Sequence, residues 1–145
     1  MTDPVSAVEF ESMLLNRYHH VVRGGALDRS AYTLLSRMRA GGPMSISELS
    51  EAFHLDPSTL NRQTAALVRS GLAERIADPE GGIARKFRTT ALGEQRLDEE
   101  REYNVTALKR ILADWEPDEI AAFAAALQRF NVDIEKSSKM PWPRV

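Results

Sequence analysis

The sequence predicts a mainly α-helical (α+β) fold with one short β-hairpin, and three observations carry that prediction. Apolar residues recur at three- and four-residue steps through most of the chain, the period of helices that bury one stripe. Glycine and proline punctuate these stretches at Gly24-Gly25, Gly41-Gly42-Pro43, Gly71 and Glu116-Pro117, where helices stop or restart. The helical period lapses once, between Ala73 and Thr89, around Asp78-Pro79-Glu80-Gly81-Gly82, which is turn chemistry between two extended runs.

Taken in order, Phe10, Met13, Leu14, Tyr18, Val21 and Val22 form the stripe of a first helix over Ala7 to Val22, ended by Gly24-Gly25. Asp28 offers an N-cap to a second helix whose inner side is Ala31, Leu34, Leu35 and Met38. Ser45-Ile46-Ser47-Glu48 has the form of a capping box, opening a short third helix with Leu49, Ala52 and Phe53 inside. Asp56 and Pro57 suit the cap and first turn of a fourth helix reaching about Ser70, with Leu60, Thr64, Leu67 and Val68 inward. Two short helices joined by a tight turn outline a helix-turn-helix. Strands are expected over Ala73 to Ala77 and Lys86 to Thr89, making a wing. A fifth helix starts near Ala91 and a sixth after Glu116-Pro117-Asp118-Glu119, its stripe running from Ile120 through Phe123, Leu127 and Phe130 to Ile134. The tail from Lys136 to Val145 reads as frayed, and Glu99-Glu100 and Asp118-Glu119 as solvated helix faces.

Bulk properties narrow the function classes. The 145 residues contain no cysteine, which excludes disulfides, thiolate metal sites and cysteine redox sensing. The N-terminus lacks a basic start followed by an apolar core, and the apolar stretch from Ile120 to Leu127 is too short to span a bilayer, so a cytoplasmic protein without a membrane partner is expected. Net charge is -2, but residues 57–90 hold six Lys/Arg against three Asp/Glu while both flanks are acidic. Local potential decides phosphate binding, because salt screens charges beyond roughly 8 Å. No nucleophile triad, carboxylate pair or phosphate loop stands out, so no enzyme is expected. His19, His20 and His54 make no metal-ligand spacing, and no metal or cofactor is expected.

Several fragments in this order resemble the MarR family of winged helix-turn-helix regulators. They are Ser58-Thr59-Leu60-Asn61-Arg62, Ser70-Gly71-Leu72-Ala73-Glu74-Arg75, Asp78-Pro79-Glu80, Thr90-Ala91-Leu92-Gly93 and Trp115-Glu116-Pro117-Asp118-Glu119. The resemblance covers nearly the whole chain. It implies a DNA-binding region over residues 28–90 and a helical dimerisation region from residues 1–27 and 91–145, within one continuous fold. It further implies a homodimer on double-stranded DNA, probing a pseudo-palindromic operator as a repressor, and a small-molecule effector of the aromatic-acid kind. A winged-helix module that binds a protein instead of DNA is the alternative.

The expected DNA contacts follow from the fourth helix entering a major groove, with Pro57, Ser58, Thr59, Asn61, Arg62 and Gln63 on its opening turns. Arginine bonds guanine bidentately and asparagine or glutamine bonds adenine, so Arg62 leads the set. Ser45 and Ser47 at the start of the third helix are expected at the same interface. The wing departs from the family pattern: Gly81-Gly82-Ile83-Ala84 stands where a tip arginine is usual. Arg85, Lys86 and Arg88 either take over the contact from the flank or guard a solvated strand edge.

Overall fold

The computed structural model describes residues 3–23 and 25–144, in the order α1 (Pro4–Val22), α2 (Arg29–Gly41), α3 (Ile46–Phe53), α4 (Pro57–Arg69), β1 (Ala73–Ile76), β2 (Lys86–Thr89), α5 (Ala91–Ile111) and α6 (Pro117–Ser138). The mainly helical winged architecture expected from the sequence is the one observed.

Helix starts follow cap chemistry. Helix α1 begins three residues earlier than its apolar stripe implies, because Asp3 accepts the Val5 and Ser6 N–H groups and Pro4 occupies the first turn. It ends at Val22 with Arg23 extended; Gly24, expected to terminate it, lies outside the described residues. Asp28 caps α2 by accepting the Ala31 N–H at 2.8 Å. Ser45 and Glu48 form the expected capping box, with bonds of 3.1 and 3.2 Å. Asp56 differs: it holds the N-cap position of α4, but its side chain makes no cap hydrogen bond, leaving its carbonyl to accept from Thr59 and Leu60.

The core lies where α2, α3, α4 and the hairpin meet. Leu34, Leu35, Leu49 and Leu60 are fully buried, with Met38, Leu67, Phe87 and Leu97 closing around them. Helix α3 packs on α4, α4 on β1, and α2 on α5 and β2. Val68, expected on the inner face of α4, is exposed instead; Leu60, Thr64 and Leu67 already complete the seam, and the residue after it falls at its margin. Strands β1 and β2 pair antiparallel with Ala73 opposite Thr89 and Ile76 opposite Lys86. Met44 adds a third, one-residue rung through reciprocal bonds with Phe87 of 3.0 and 2.8 Å. The hairpin therefore hangs on the residue that precedes the α3 cap.

Thr90 joins the hairpin to α5. Its hydroxyl donates to the Gly71 carbonyl at 2.6 Å and accepts the Gly93 N–H at 3.1 Å. Gly93 is buried so close to the Leu72 carbonyl that any Cβ would collide with it, which explains glycine inside a helix despite its entropic cost.

Two expectations fail in the C-terminal half. Glu100 is 2% exposed rather than solvated, accepting the Leu27 N–H at 3.1 Å and facing Arg23 at 3.4 Å. Glu100 follows the buried Leu97 by three residues on the buried face of α5 and there meets the segment between α1 and α2, a contact that the charge pattern of α5 does not contain. Over its described residues, to Arg144, the tail is not frayed: α6 continues to Ser138, and the chain then folds back so that Trp142 meets Phe53. No helix among the described residues is long and apolar enough to cross a membrane.

Candidate nucleic-acid interface

Helix α4 is two-faced by construction. Leu60, Thr64 and Leu67 are buried at 0%, 1% and 3% exposure, and Thr64 returns its hydroxyl to the Leu60 carbonyl at 2.7 Å, so its burial leaves no donor unpaired. The opposite ridge is then forced outward: Ser58, Arg62, Ala65 and Arg69, spaced by four, three and four residues, are all exposed. Asn61 is exposed beside it, Pro57 opens it, and Thr59 is half-buried. Arg62 has no ion partner among the described residues. The arrangement is a convex polar ridge with a donor fork near its N-terminal end, the shape and chemistry that major-groove edges accept.

The remaining candidates sort by burial. Gln63 is half-buried and lines a cleft of about 290 Å3 with Thr33, Phe53 and Leu55, so it is turned away from the Arg62 ridge. Ser47 is exposed on the first turn of α3. Ser45, expected at the interface, is 6% exposed and its hydroxyl accepts the Glu48 N–H; it supports α3 from beneath and offers nothing to phosphate. Arg69 was not among the expected contacts, although its place seven residues after Arg62 puts both on one face.

The turn from α3 to α4 sets the direction of the ridge. His54 adopts the left-handed conformation (φ 51°, ψ 44°) and its N–H reaches the Ser50 carbonyl. The Ser50 hydroxyl donates to the Leu55 carbonyl at 2.6 Å. Three residues thus reverse the chain with most of their backbone groups satisfied locally.

In the wing, two of the three candidate cations are held internally. Lys86 lies 3.1 Å from Glu48 and 3.8 Å from Asp78, and Arg88 lies 2.6 Å from Glu74 across the hairpin. The Glu48 bond raises the Lys86 ammonium above its ordinary value. Burial pushes the Glu48 carboxyl up, but the Ser45 N–H and Lys86 outweigh it and hold it below the usual carboxylate range. Arg85 is exposed and has no ion partner among the described residues. At the tip, Gly81 takes φ 85° in a turn closed onto Asp78, and Ile83 is fully exposed at 104%. The sequence signal for Ile83 was the missing arginine; the structure turns that absence into a bare apolar side chain on a slender loop.

Helices α1 and α6 bury none of their described residues. Phe10, Leu15 and Val21 of α1, Ile111 of α5, and Phe123, Phe130 and Ile134 of α6 are each about half exposed. Apolar stripes of this extent lie uncovered beside a well-packed winged core.

Comparison with known proteins agrees with this geometry. Residues 27–81 match the MarR family profile. The chain is 36% identical over 134 residues to YxaD, an HTH-type transcriptional regulator of Bacillus subtilis, covering 89% of this chain and 94% of that protein. In fold it is similar to a MarR family protein from Bacillus stearothermophilus, with a TM-score of 0.72 at 20% identity over 92% of this chain and 99% of that one. It is also similar to the PcaV transcriptional regulator of Streptomyces coelicolor, solved with its natural ligand, with a TM-score of 0.65 at 21% identity over 90% and 96% of the two chains.

Proposed function

Because the chain belongs to the MarR family of transcriptional regulators, DNA-binding proteins that are not enzymes, we propose that it acts as a homodimeric repressor presenting two α4 helices to one pseudo-palindromic operator. The observation that carries this reading is the α4 ridge of Ser58, Arg62, Ala65 and Arg69 standing opposite Leu60, Thr64 and Leu67. Arg62 reads a base edge, Ser58 and Ser47 position the helix on phosphate, and Asn61 reads the base beside it. Arg69 and Arg85 supply backbone charge at the two ends of the contact.

Dimerisation is supported by the uncovered stripes of α1, α5 and α6. A second copy buries them, and the two α4 helices then stand about one DNA turn, roughly 34 Å, apart. The division of labour follows: residues 28–90 read DNA, and residues 1–27 and 91–145 hold the dimer. The regulator works in the cytoplasm beside the chromosome. A small-molecule effector is supported by PcaV having been solved with its natural ligand, and a small aromatic acid is the class that suits the cleft of about 410 Å3 among Tyr32, Arg39, Leu97, Arg101 and Trp142. The effector acts by preferring one dimer geometry, since only differential affinity shifts such an equilibrium.

The test is a selection of bound fragments from random duplex DNA at fixed salt, with sedimentation of the free protein. A palindromic consensus and a dimeric mass are expected. A monomer, or no preference among duplexes at low salt, overturns the reading.

A further inference from the structure

The C-terminal segment makes a connection that the DNA-reading and dimer surfaces do not explain. Lys139 turns left-handed after α6 (φ 57°), and the Met140 N–H reaches the Glu135 carbonyl at 3.1 Å. The chain reverses and is pinned there. Glu135 Oε1 accepts the Trp142 N–H at 3.0 Å, and both carboxylate oxygens take the Arg144 guanidinium at 2.8 and 2.7 Å.

What the reversed segment touches is the reading head. The Trp142 ring meets Phe53 edge to face, with centroids 5.9 Å apart and planes at 84°. The Arg37 guanidinium of α2 lies 6.0 Å from the same ring. Pro143 lies beside Gly41 at the end of α2. Phe53 is the last residue of α3, and His54 after it makes the left-handed turn into α4. The contact therefore falls on the residue from which the reading helix takes its direction.

Helix α6 itself buries none of its described residues within the chain, so it has little packing of its own to hold the head at a fixed angle. We propose that Trp142 is a positioning residue: residues 139–144 form a strap that fixes the helix-turn-helix head against α6 and so sets the separation of the two α4 helices. The inference rests on the dimeric, groove-reading function proposed above. Without the strap the head samples several angles, only a fraction of which match two half-sites at once. Apparent affinity falls by that fraction, while single-site contacts and non-specific phosphate binding are unchanged. An aromatic edge contact with an adjacent guanidinium suits this task, because it is directional as well as apolar.

The experiment uses the full chain with Trp142→Ala, Trp142→Phe and Glu135→Gln. Each is measured for dimer mass, for thermal midpoint, and for affinity to the selected operator and to operators with one base pair added or removed between half-sites. Trp142→Ala is expected to remain dimeric, to bind the operator about tenfold more weakly, and to lose much of the preference for the native spacing. Trp142→Phe retains an aromatic edge and restores the spacing preference. Should Trp142→Ala fail to fold, Glu135→Gln, which releases Arg144 and weakens the hold on the Trp142 N–H, decides the matter by the same spacing readout. Unchanged spacing preference in the folded variants overturns the proposal. If the unaltered protein selects no operator, the groove-reading function has failed instead, whereas a selected operator with unchanged spacing preference in the variants removes the strap alone.

Discussion

The Glu100 carboxylate of α5, 2% exposed, accepts the backbone N–H of Leu27 at 3.1 Å and faces Arg23 at 3.4 Å. One acid thereby ties the end of α1 and the loop before α2 to the helix that carries the C-terminal half. Gly25 sits so near that a Cβ would run into the same carboxylate. Removing Glu100 leaves the part-buried Leu27 N–H without its acceptor and takes away the ion partner of Arg23, which keeps its bond to the Leu27 carbonyl. Glu100→Ala is expected to lower stability by about 2–4 kcal/mol in urea unfolding, with Glu100→Gln closer to the parent because it still accepts the Leu27 N–H. A loss below half a kilocalorie for the alanine variant would mean the link carries no load.

Arg62 projects from the α4 ridge without an ion partner among the described residues. Arg62→Ala should weaken operator binding by about 1–3 kcal/mol and relax preference at one position in each half-site. Arg69→Ala, further along the same ridge, should weaken all duplexes alike. Competition binding against single-base operator variants separates the two patterns, and identical profiles would show that α4 is not the reader.

At the wing tip, Ile83 stands fully exposed, and under the proposed function a cation there would lie against the DNA backbone. Ile83→Arg should raise affinity for every duplex and steepen the dependence on salt, by roughly 0.9 in log-log slope for each phosphate gained. Arg85→Ala should flatten that slope. Lys86→Ala should leave it nearly unchanged, because Lys86 is held by Glu48 and Asp78. Equal slopes for all three variants would mean that the wing stays clear of the backbone.

The Ala31 N–H, together with the Ser30 hydroxyl, holds the Asp28 carboxyl below its ordinary range. The folded chain thus releases this proton more readily than the unfolded chain. Its stabilising contribution is complete above the ordinary aspartate value of about 3.9 and is lost as pH falls through the depressed folded value. Asp28→Asn retains a cap and should flatten the acid limb of the stability curve, whereas Asp28→Ala costs about 1 kcal/mol near neutrality. Urea unfolding across the acid range tests this; an acid limb equally steep in Asp28→Asn would place the pH dependence elsewhere.

His54 pays a steric cost for its left-handed turn. His54→Gly should gain up to about 1 kcal/mol in stability, offset in part by the greater freedom of glycine in the unfolded chain. A loss would show that the His54 ring contributes contacts that outweigh its backbone conformation.

Local chemistry determined much of this protein from the sequence. Asp28 and the Ser45–Glu48 box mark helix starts because capping is decided within four residues. The Asp78-Pro79-Glu80-Gly81-Gly82 turn marks the wing for the same reason, and the Leu60, Thr64, Leu67 seam implies the Arg62 ridge because a helix has only two sides. Tertiary structure alone decided what each polar group meets. Nothing near Glu100 in sequence announces Leu27, nothing near Lys86 announces Glu48, and Trp142 meets Phe53 across most of the chain. Ser45, next to the Met44 rung of the hairpin, is buried with its hydroxyl turned to the Glu48 N–H. Periodicity says which face a residue occupies. Burial, ion pairing and the return of the tail depend on partners brought together by folding, and a one-dimensional pattern holds no record of them.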